Sequence, residues 1–326
     1  MDPLGFSLDL AARASVLLGL TALALLVLRR AAAATRQVVA TAGMAGALAL
    51  TPLSLAMPRF DLVVLPAAAL ETSAAPAHDA LARFLLGSSV ALAWGVVAAL
   101  SLARLALGMW RVARAARRGT ELDEPCIARA AAKIGVRRPV RVVLSGEVEV
   151  PMTAGLQRPV ILLPAAALEW SSERLELVLL HELAHVKRRD CLTMLVVESA
   201  VASWWFHPLA GLARRNVRRS AEQAADEMVL STGARPSVYA GPLLSIVRSL
   251  RDPEPFAPAV AMGRASDLDG RLRALLARRD RGASAWLGRG MAAALAGLAL
   301  AFGAVWPVHG PQPRPVCMRS LHGARR

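Results

Sequence analysis

Residues 181–190 read HELAHVKRRD and contain the pattern His-Glu-x-x-His. Residues four positions apart share one face of a helix, so the imidazoles of His181 and His185 point the same way and can hold one Zn²⁺ ion. Glu182, next to the first histidine, is then placed to act as a general base toward a water molecule at that ion. The alternative is that two histidines merely share the face of a buried helix.

The residues before this motif favour a helix. Ser171 and Ser172 can cap its N-terminus, and Glu173 and Glu176 lie in or near the first turn, where carboxylates suit the helix dipole. Apolar residues then recur at spacings of three and four, as expected of a stripe that faces a core: Leu175, Leu179, Leu183 and Val186. The motif is therefore predicted to lie on a buried helix.

The composition predicts a membrane protein. The 326 residues are 55% hydrophobic, with a mean hydropathy of +0.43, which is too apolar for an ordinary soluble protein. The net charge is +15, and almost all of the basic residues are arginines in short clusters beside apolar segments, without interleaved aromatics. This pattern is typical of the positively charged cytoplasmic flanks of membrane helices and not of a surface that binds nucleic acid directly. The three cysteines are far apart and predict neither a disulfide framework nor a cysteine zinc site.

Long uncharged runs predict four transmembrane helices. Three of them, at about residues 10–28, 37–58 and 84–108, form a membrane region over residues 1–110, and the fourth covers residues 286–308. No convincing small-residue cleavage site follows the first run, so a retained helix is preferred to a signal peptide.

The charges of the connecting segments predict the orientation. The first loop carries three arginines without an acid, and the chain from Arg104, near the end of the third helix, carries five arginines before its first acid. The loop between the second and third helices instead balances two arginines against three acids. The positive-inside rule then places both termini outside the cytoplasm, residues 111–285 in the cytoplasm, and residues 309–326 in a short extracytoplasmic tail.

The segment at residues 111–285 is predicted to be an α+β domain. Residues 125–135 indicate a helix that ends at Gly135, and residues 140–144 a strand. Residues 148–156 and 160–163 indicate a hairpin-like pair, whose prolines favour a sheet edge. An edge next to a metal site can hold a peptide in extended form by strand addition, although a merely structural edge fits these residues equally well.

A second helix is predicted to carry two acids and to end near Gly233. Glu222 and Asp226 lie on one face of this helix, among small and apolar neighbours. A glutamate on a separate downstream helix is the usual third protein ligand when His-Glu-x-x-His supplies two, and Asp226 would suit a hydrogen bond to a ligand histidine. The alternative for Glu222 is an exposed acid that balances the neighbouring arginines.

Residues 191–213 are apolar apart from Glu198 and resemble a fifth span in hydropathy alone. A single crossing would separate Glu222 from the two histidines by a hydrocarbon core of about 30 Å. We therefore predict that this segment stays on the cytoplasmic side as a buried or interfacial helix. Farther along, residues 251–270 are predicted to be a loop, and residues 271–281 a short basic helix.

Three further residues are candidates for supporting roles. Asp190, five residues after His185, can fix the end of the motif helix or pair with a nearby arginine. His207 and Tyr239, the only tyrosine, are candidate donors to a developing oxyanion, with a structural role as the alternative for each.

These segments together resemble the BlaR/MecR-type membrane zinc metallopeptidases, the antirepressor group of the gluzincins. The resemblance covers roughly residues 10–308 and is carried by residues 151–155, 158–164, 181–190, 206–208 and 222–226. It implies that His181, His185 and Glu222 bind one Zn²⁺ ion per chain and that Glu182 is the base. It also implies a cytoplasmic catalytic domain between the third and fourth spans.

The usual target in this family is a transcriptional repressor, and a neighbouring gene for a small winged-helix repressor would favour this role over the alternatives. The family's β-lactam sensors carry a large extracellular penicillin-binding domain after the fourth span. In this sequence residues 310–326 follow that span, so direct covalent sensing of β-lactams is not expected.

The sequence thus predicts an integral membrane, mainly α protein of the bacterial cytoplasmic membrane, with four transmembrane helices and a cytoplasmic α+β gluzincin-type domain inserted between the third and fourth. The predicted function is a zinc-dependent regulatory endopeptidase that cleaves a cytoplasmic protein. One alternative is a quality-control or prenyl-processing membrane zinc protease. Another is a non-catalytic signalling scaffold, against which the intact Glu182 argues, since a scaffold needs no base. The expected partners are the lipid bilayer and a protein substrate, and a homodimer stays open.

Overall fold

The computed structural model describes residues 3–56, 60–62, 77–235, 239 and 285–307. The first third of the chain is built from long apolar helices with one short strand: α1 (Pro3–Val27), α2 (Ala33–Ala56), β1 (Phe60–Leu62) and α3 (Ala77–Arg118). A mixed part follows: β2 (Thr120–Glu121), α4 (Pro125–Ile134), β3 (Arg141–Ser145), β4 (Met152–Ala154), β5 (Val160–Pro164), α5 (Ser172–Arg188), α6 (Asp190–Ser203) and α7 (Pro208–Ser231). The last two described elements are α8 (Ala285–Ala304) and β6 (Val305–Pro307). The predicted loop at 251–270 and helix at 271–281 lie outside the described residues.

Three helical stretches are long and apolar enough to cross a membrane: Pro3–Arg30, Ala33–Ala56 and Phe84–Arg118. A shorter apolar stretch, Leu287–Phe302, belongs to α8. The three long stretches correspond to the first three predicted spans, with helix ends that differ by several residues, and the shorter stretch lies within the predicted fourth span. The chain is therefore a mainly helical membrane protein.

The close helix contacts define the directions of these helices. A Cβ atom placed on Gly288 would lie 2.2 Å from Cγ2 of Thr35, and one placed on Gly46 would lie 3.0 Å from Cβ of Ala299. The two contacts follow the same order along both helices, so α2 and α8 are parallel. Strands β1 and β6, which follow these two helices, also pair in parallel.

The other two long helices run the opposite way. A Cβ atom placed on Gly43 of α2 would lie 2.1 Å from Oγ1 of Thr21, and one placed on Gly46 would lie 3.0 Å from Cδ2 of Leu17, so α1 is antiparallel to α2. A Cβ atom placed on Gly87 would lie 2.4 Å from the backbone nitrogen of Leu4, so the early part of α3 lies beside the start of α1. Since Arg118, at the far end of α3, leads directly into β2, the mixed part of the chain lies at the end where α2 and α8 begin.

A four-stranded sheet with the order β2-β3-β5-β4 supports the motif helix. The predicted pair is confirmed as β4 and β5, which are antiparallel and place Thr153 opposite Ile161. The predicted edge is confirmed for β4 and wrong for β5, because β5 also pairs in parallel with β3. Its prolines lie outside the strand or at its last residue, where they do not interrupt the pairing.

The motif helix α5 is confirmed, and its two ends have clear local causes. The hydroxyl of Ser171 accepts a hydrogen bond from the backbone N–H of Arg174 at 3.3 Å, as an N-cap should. Arg189 ends the helix with φ of 57°, in the left-handed region, and α6 begins immediately after it. Leu179 and Leu183 are fully buried, so the apolar stripe faces the core as predicted.

Residues 191–213 are two helices of opposite direction rather than the one helix predicted. The chain leaves Asp190 along α6, turns at residues 204–207, and returns along α7. At 1.5 Å per residue, α6 is about 20 Å long, and so is the part of α7 between this turn and Glu222. The prediction missed the reversal because hydropathy is the same for a single helix and for two apolar arms.

The tip of this α6–α7 hairpin lies among the long apolar helices. The indole N–H of Trp204 donates to the carbonyl oxygen of Ala47 in α2 at 2.8 Å. The indole N–H of Trp94 in α3 donates to the carbonyl oxygen of Ser203 at 2.6 Å. The reversal of the chain at this tip brings the second half of α7 back to α5.

Candidate metal centre

Three side chains from two helices converge at the C-terminal half of α5. Their ligand atoms all lie within 4.8 Å of one another: one nitrogen each from His181 and His185, and a carboxylate oxygen from Glu222 of α7. The two Nε2 atoms are 3.2 Å apart. Oε2 of Glu222 lies 3.5 Å from Nε2 of His181, and Oε1 of the same carboxylate lies 3.6 Å from Nε2 of His185. This His-His-Glu cluster could bind a metal ion.

These separations fit a tetrahedral ion. Metal–ligand bonds of about 2.0–2.1 Å place the ligand atoms of a tetrahedral site about 3.3 Å apart, close to the three distances found here. His185 and Glu222 are buried, while His181 is 13% exposed, so the cluster is reached from one side. Two imidazoles and one carboxylate are the donor set of many catalytic zinc sites.

The first histidine is held from behind by α7 and by Tyr239. The hydroxyl of Tyr239 lies 2.8 Å from Nδ1 of His181 and donates to Oδ1 of Asp226 at 2.7 Å. Because the hydroxyl proton is used on Asp226, the tyrosine oxygen accepts from Nδ1–H of His181. This arrangement leaves Nε2 without a proton, in the tautomer that a metal ligand needs.

The second histidine is held by Asp190, at the junction of α5 and α6. Nδ1 of His185 lies 2.7 Å from Oδ2 of Asp190, and the carboxylate can only accept, so Nδ1 carries the proton. Burial opposes ionisation of Asp190, but hydrogen bonds from His185 and the charges of His185 and Arg188 outweigh it and lower the pKa of this carboxyl. The aspartate therefore stays ionised and orients the imidazole.

Glu182 directly follows His181 on α5, and its carboxylate contacts the sheet. Its Oε2 accepts a hydrogen bond of 2.7 Å from the hydroxyl of Thr153, and its backbone oxygen lies 3.1 Å from the same hydroxyl. Thr153 is the central residue of β4, so one buried side chain connects the edge strand to the carboxylate of the motif.

A cleft of about 520 Å³ lies beside β4 and is bounded by α3 and α6. Its walls are mainly apolar and include Leu105, Met109, Val112, Leu156, Met194 and Leu195. Thr153 and Cys191 also line this cleft, and the Cys191 thiol donates to the Thr153 carbonyl oxygen at 3.4 Å. Burial raises the pKa of Cys191 to about 11, so the thiol is neutral near pH 7 and is a poor nucleophile.

The structure does not bring every predicted site residue to the cluster. His207 caps the start of α7 and its Nε2 lies 3.0 Å from the hydroxyl of Ser15. Fourteen helical residues separate it from Glu222 at a rise of about 1.5 Å each, so His207 is about 20 Å away. The prediction that His207 donates to an oxyanion is therefore wrong.

Tyr239 does contact the first histidine, and its role as a donor to an oxyanion stays a prediction. Its hydroxyl contacts the Nδ1 side of His181 and Asp226, and so lies behind the imidazole rather than on the Nε2 side, where the cluster converges. Two residues with contacts to the site were missed in the sequence. Thr153 belongs to the segment 151–155 but had no assigned role, and Gln37, which donates to Asp190, is the first residue of an uncharged predicted span.

Comparison with known proteins gives two findings. A family model described as BlaR1 peptidase M56 matches residues 16–275, which include all of the cluster residues. The chain is also similar to the regulatory protein BlaR1 of Bacillus licheniformis, with 35% identity over 82 residues. That match covers 25% of the chain and 14% of the length of the relative, so the matched segment corresponds to a small part of that protein.

Proposed function

The chain belongs to the BlaR1 peptidase M56 family, and from this premise we propose that it is a membrane-embedded zinc metalloendopeptidase. The observation that carries the proposal is the convergence of His181, His185 and Glu222 at distances close to those of a tetrahedral site. In this proposal the three side chains hold one Zn²⁺ ion, with Asp226, Tyr239 and Asp190 fixing the two imidazoles from behind. A bound Zn²⁺ ion supplies Lewis acidity and lowers the pKa of water.

Glu182 is the proposed general base. Its carboxylate takes a proton from the attacking water and later gives it to the leaving amine of the cleaved peptide bond. Thr153 holds Oε2 of Glu182, which limits the rotation of the carboxylate and fixes its direction relative to β4.

The proposed substrate is a peptide in extended form beside β4. The edge strand pairs with β5 on one side within the described sheet, so its other side suits strand addition. The apolar cleft next to it would take one or two apolar side chains of such a peptide. Thr153 touches both the cleft and Glu182, which supports placing the scissile bond at this point.

The proposed target is a cytoplasmic protein such as a transcriptional repressor. The name of the Bacillus licheniformis relative, a regulatory protein, supports a regulatory role. The proposed location is the bacterial cytoplasmic membrane, with four spans, both termini outside and the catalytic domain inside. The antiparallel arrangement of α1 and α3 relative to α2 and α8, together with the arginines after α1 and at the end of α3, supports this topology.

The test uses Glu182→Gln in the full-length protein purified in detergent. An amide cannot accept the proton of the water, so cleavage should fall by about 10²–10⁴-fold while bound zinc is unchanged. The readouts are metal content, cleavage of mixed fluorogenic peptides and self-cleavage. The control is His185→Ala, which should lose both zinc and cleavage.

Unchanged cleavage by Glu182→Gln would remove this residue from the mechanism. A wild-type protein that binds zinc but cleaves neither itself nor any peptide would favour the scaffold function instead.

A further inference from the structure

Gln37, the fifth residue of the membrane helix α2, contacts the residues that hold His185. Its Nε2 donates to Oδ1 of Asp190 at 2.7 Å, and its Oε1 accepts a hydrogen bond from the guanidinium of Arg188. Gln37 is 4% exposed and Asp190 is 1% exposed, so these contacts are made out of water. A buried polar side chain within an apolar span is unfavourable unless it is paired, and this one is paired at both ends.

The chemistry of the two partners fixes the orientation of the Gln37 amide. Asp190 can only accept a hydrogen bond and Arg188 can only donate, so the amide nitrogen must face the aspartate and the oxygen must face the arginine. The 2.7 Å bond from Gln37 is also shorter than the 3.4 Å contact from Nε of Arg188 to the other carboxylate oxygen. Gln37 is therefore the closer of the two restraints that hold Asp190 opposite His185.

The neighbouring residue of α2 contacts the other ligand-bearing helix. Arg36 donates from its guanidinium to the side-chain oxygen of Gln223, which directly follows Glu222 in α7. Two successive residues of one membrane helix thus contact the α5–α6 junction, which orients His185, and the helix that carries Glu222. A shift of α2 along its axis would disturb both connections together.

We propose that Gln37 is a positioning residue for the metal centre. It acts through Asp190 on His185, and so makes the metal affinity depend on the position of α2 relative to the helices that carry the ligands. This inference rests on the proposed function, because it needs a metal at the His-His-Glu cluster. Gln37 touches neither the cluster nor the cleft, so its effect is on ligand geometry and not on the chemical step.

The experiment measures zinc affinity of full-length protein in detergent by competition with a chromophoric chelator. Gln37→Met keeps the length of the side chain and removes both polar atoms, and it should weaken zinc binding by about 10–100-fold, as loss of a residue that orients a metal ligand does. The matched control is Thr35→Val, a buried position on the same helix whose side chain lies against Gly288 of α8. It should bind zinc like the wild type.

A double-mutant cycle with Asp190→Asn tests the route of the effect. If Gln37 acts through Asp190, Gln37→Met should weaken zinc binding by less than threefold in the Asp190→Asn background. A merely structural role would give the same loss in both backgrounds. Tryptophan-fluorescence melting of the metal-free proteins checks that the variants are folded, and Gln37→Leu serves as the second variant if Gln37→Met is not.

Equal zinc affinity of the Gln37 variants and the wild type, in a protein that binds zinc, would overturn the positioning role and leave the proposed function standing. Equal losses in both backgrounds would overturn it as well. A wild-type protein without measurable zinc affinity would overturn the proposed function and this inference together.

Discussion

The hydroxyl of Thr153 donates to Oε2 of Glu182 at 2.7 Å, and both side chains are buried. This bond joins the middle of the edge strand β4 to the motif helix α5. The carboxylate proposed to move the proton therefore has its direction set by the same strand that is proposed to hold the peptide. A change at position 153 should affect the chemical step without touching the metal ligands.

Thr153→Val should lower kcat for peptide cleavage by about 10–100-fold and leave the zinc content unchanged, because one hydrogen bond to a charged group is worth about 1.5–3 kcal/mol. Valine has the shape of threonine, so the packing of β4 is kept. The measurement is kcat and KM on a fluorogenic peptide beside metal analysis. Thr153→Ser retains a hydroxyl and should recover most of the rate, whereas equal losses for Val and Ser would assign the effect to packing.

Glu222→Ala should sharply reduce zinc occupancy of the purified protein, since it removes one of three proposed ligands. The matched control is Glu227→Ala, an exposed glutamate five residues farther along α7. These two variants also distinguish the two interpretations of Glu222 from the sequence, a metal ligand or an exposed acid near the arginines. If Glu222→Ala retained zinc as well as Glu227→Ala does, Glu222 would be one more acid that balances the arginines.

The site was predictable from the sequence where its geometry is local. His181, Glu182 and His185 lie within two turns of one helix, so their spacing alone sets their directions. Thr153 and Gln37 were missed because their contacts span 29 and 153 residues of sequence, which no periodicity reports. They become visible only when α2 and β4 are placed beside α5.

The fold was likewise predictable where it depends on local sequence, and not where it depends on contacts between distant segments. The long apolar helices and the motif helix follow from hydropathy and capping, and both were found close to their predicted positions. The reversal at residues 204–207 was missed, since two apolar arms and one apolar helix have the same composition. The interior position of β5 was also missed, because its pairing with β3 depends on a residue 19 positions earlier in the chain, as in Arg141 opposite Val160.

Tyr239→Phe should weaken zinc binding by up to about tenfold, because it removes the hydroxyl between His181 and Asp226 that selects the imidazole tautomer. Phenylalanine keeps the buried ring, so the melting temperature of the metal-free protein should change little. Chelator competition and thermal melting are the two measurements. If Tyr239 instead donated to an oxyanion, Tyr239→Phe would lower kcat at full zinc occupancy.

The last prediction concerns the α6–α7 hairpin and the membrane. The ends of this hairpin are joined by the cluster, because Glu222 lies within 3.6 Å of His185, while its tip reaches Ala47 in the middle of α2. A segment with this path enters the bundle and returns, so residues before α6 and after the first half of α7 must be on one side of the membrane. Reporters fused after Arg118 and after Arg219 should therefore both give a cytoplasmic signal. A fusion after Ala56, at the opposite end of α2, is the control and should give an extracytoplasmic signal.

Opposite signals from Arg118 and Arg219 would mean that residues 191–213 cross the bilayer. A hydrocarbon core of about 30 Å would then separate Glu222 from the two histidines, and the three residues could not share one ion.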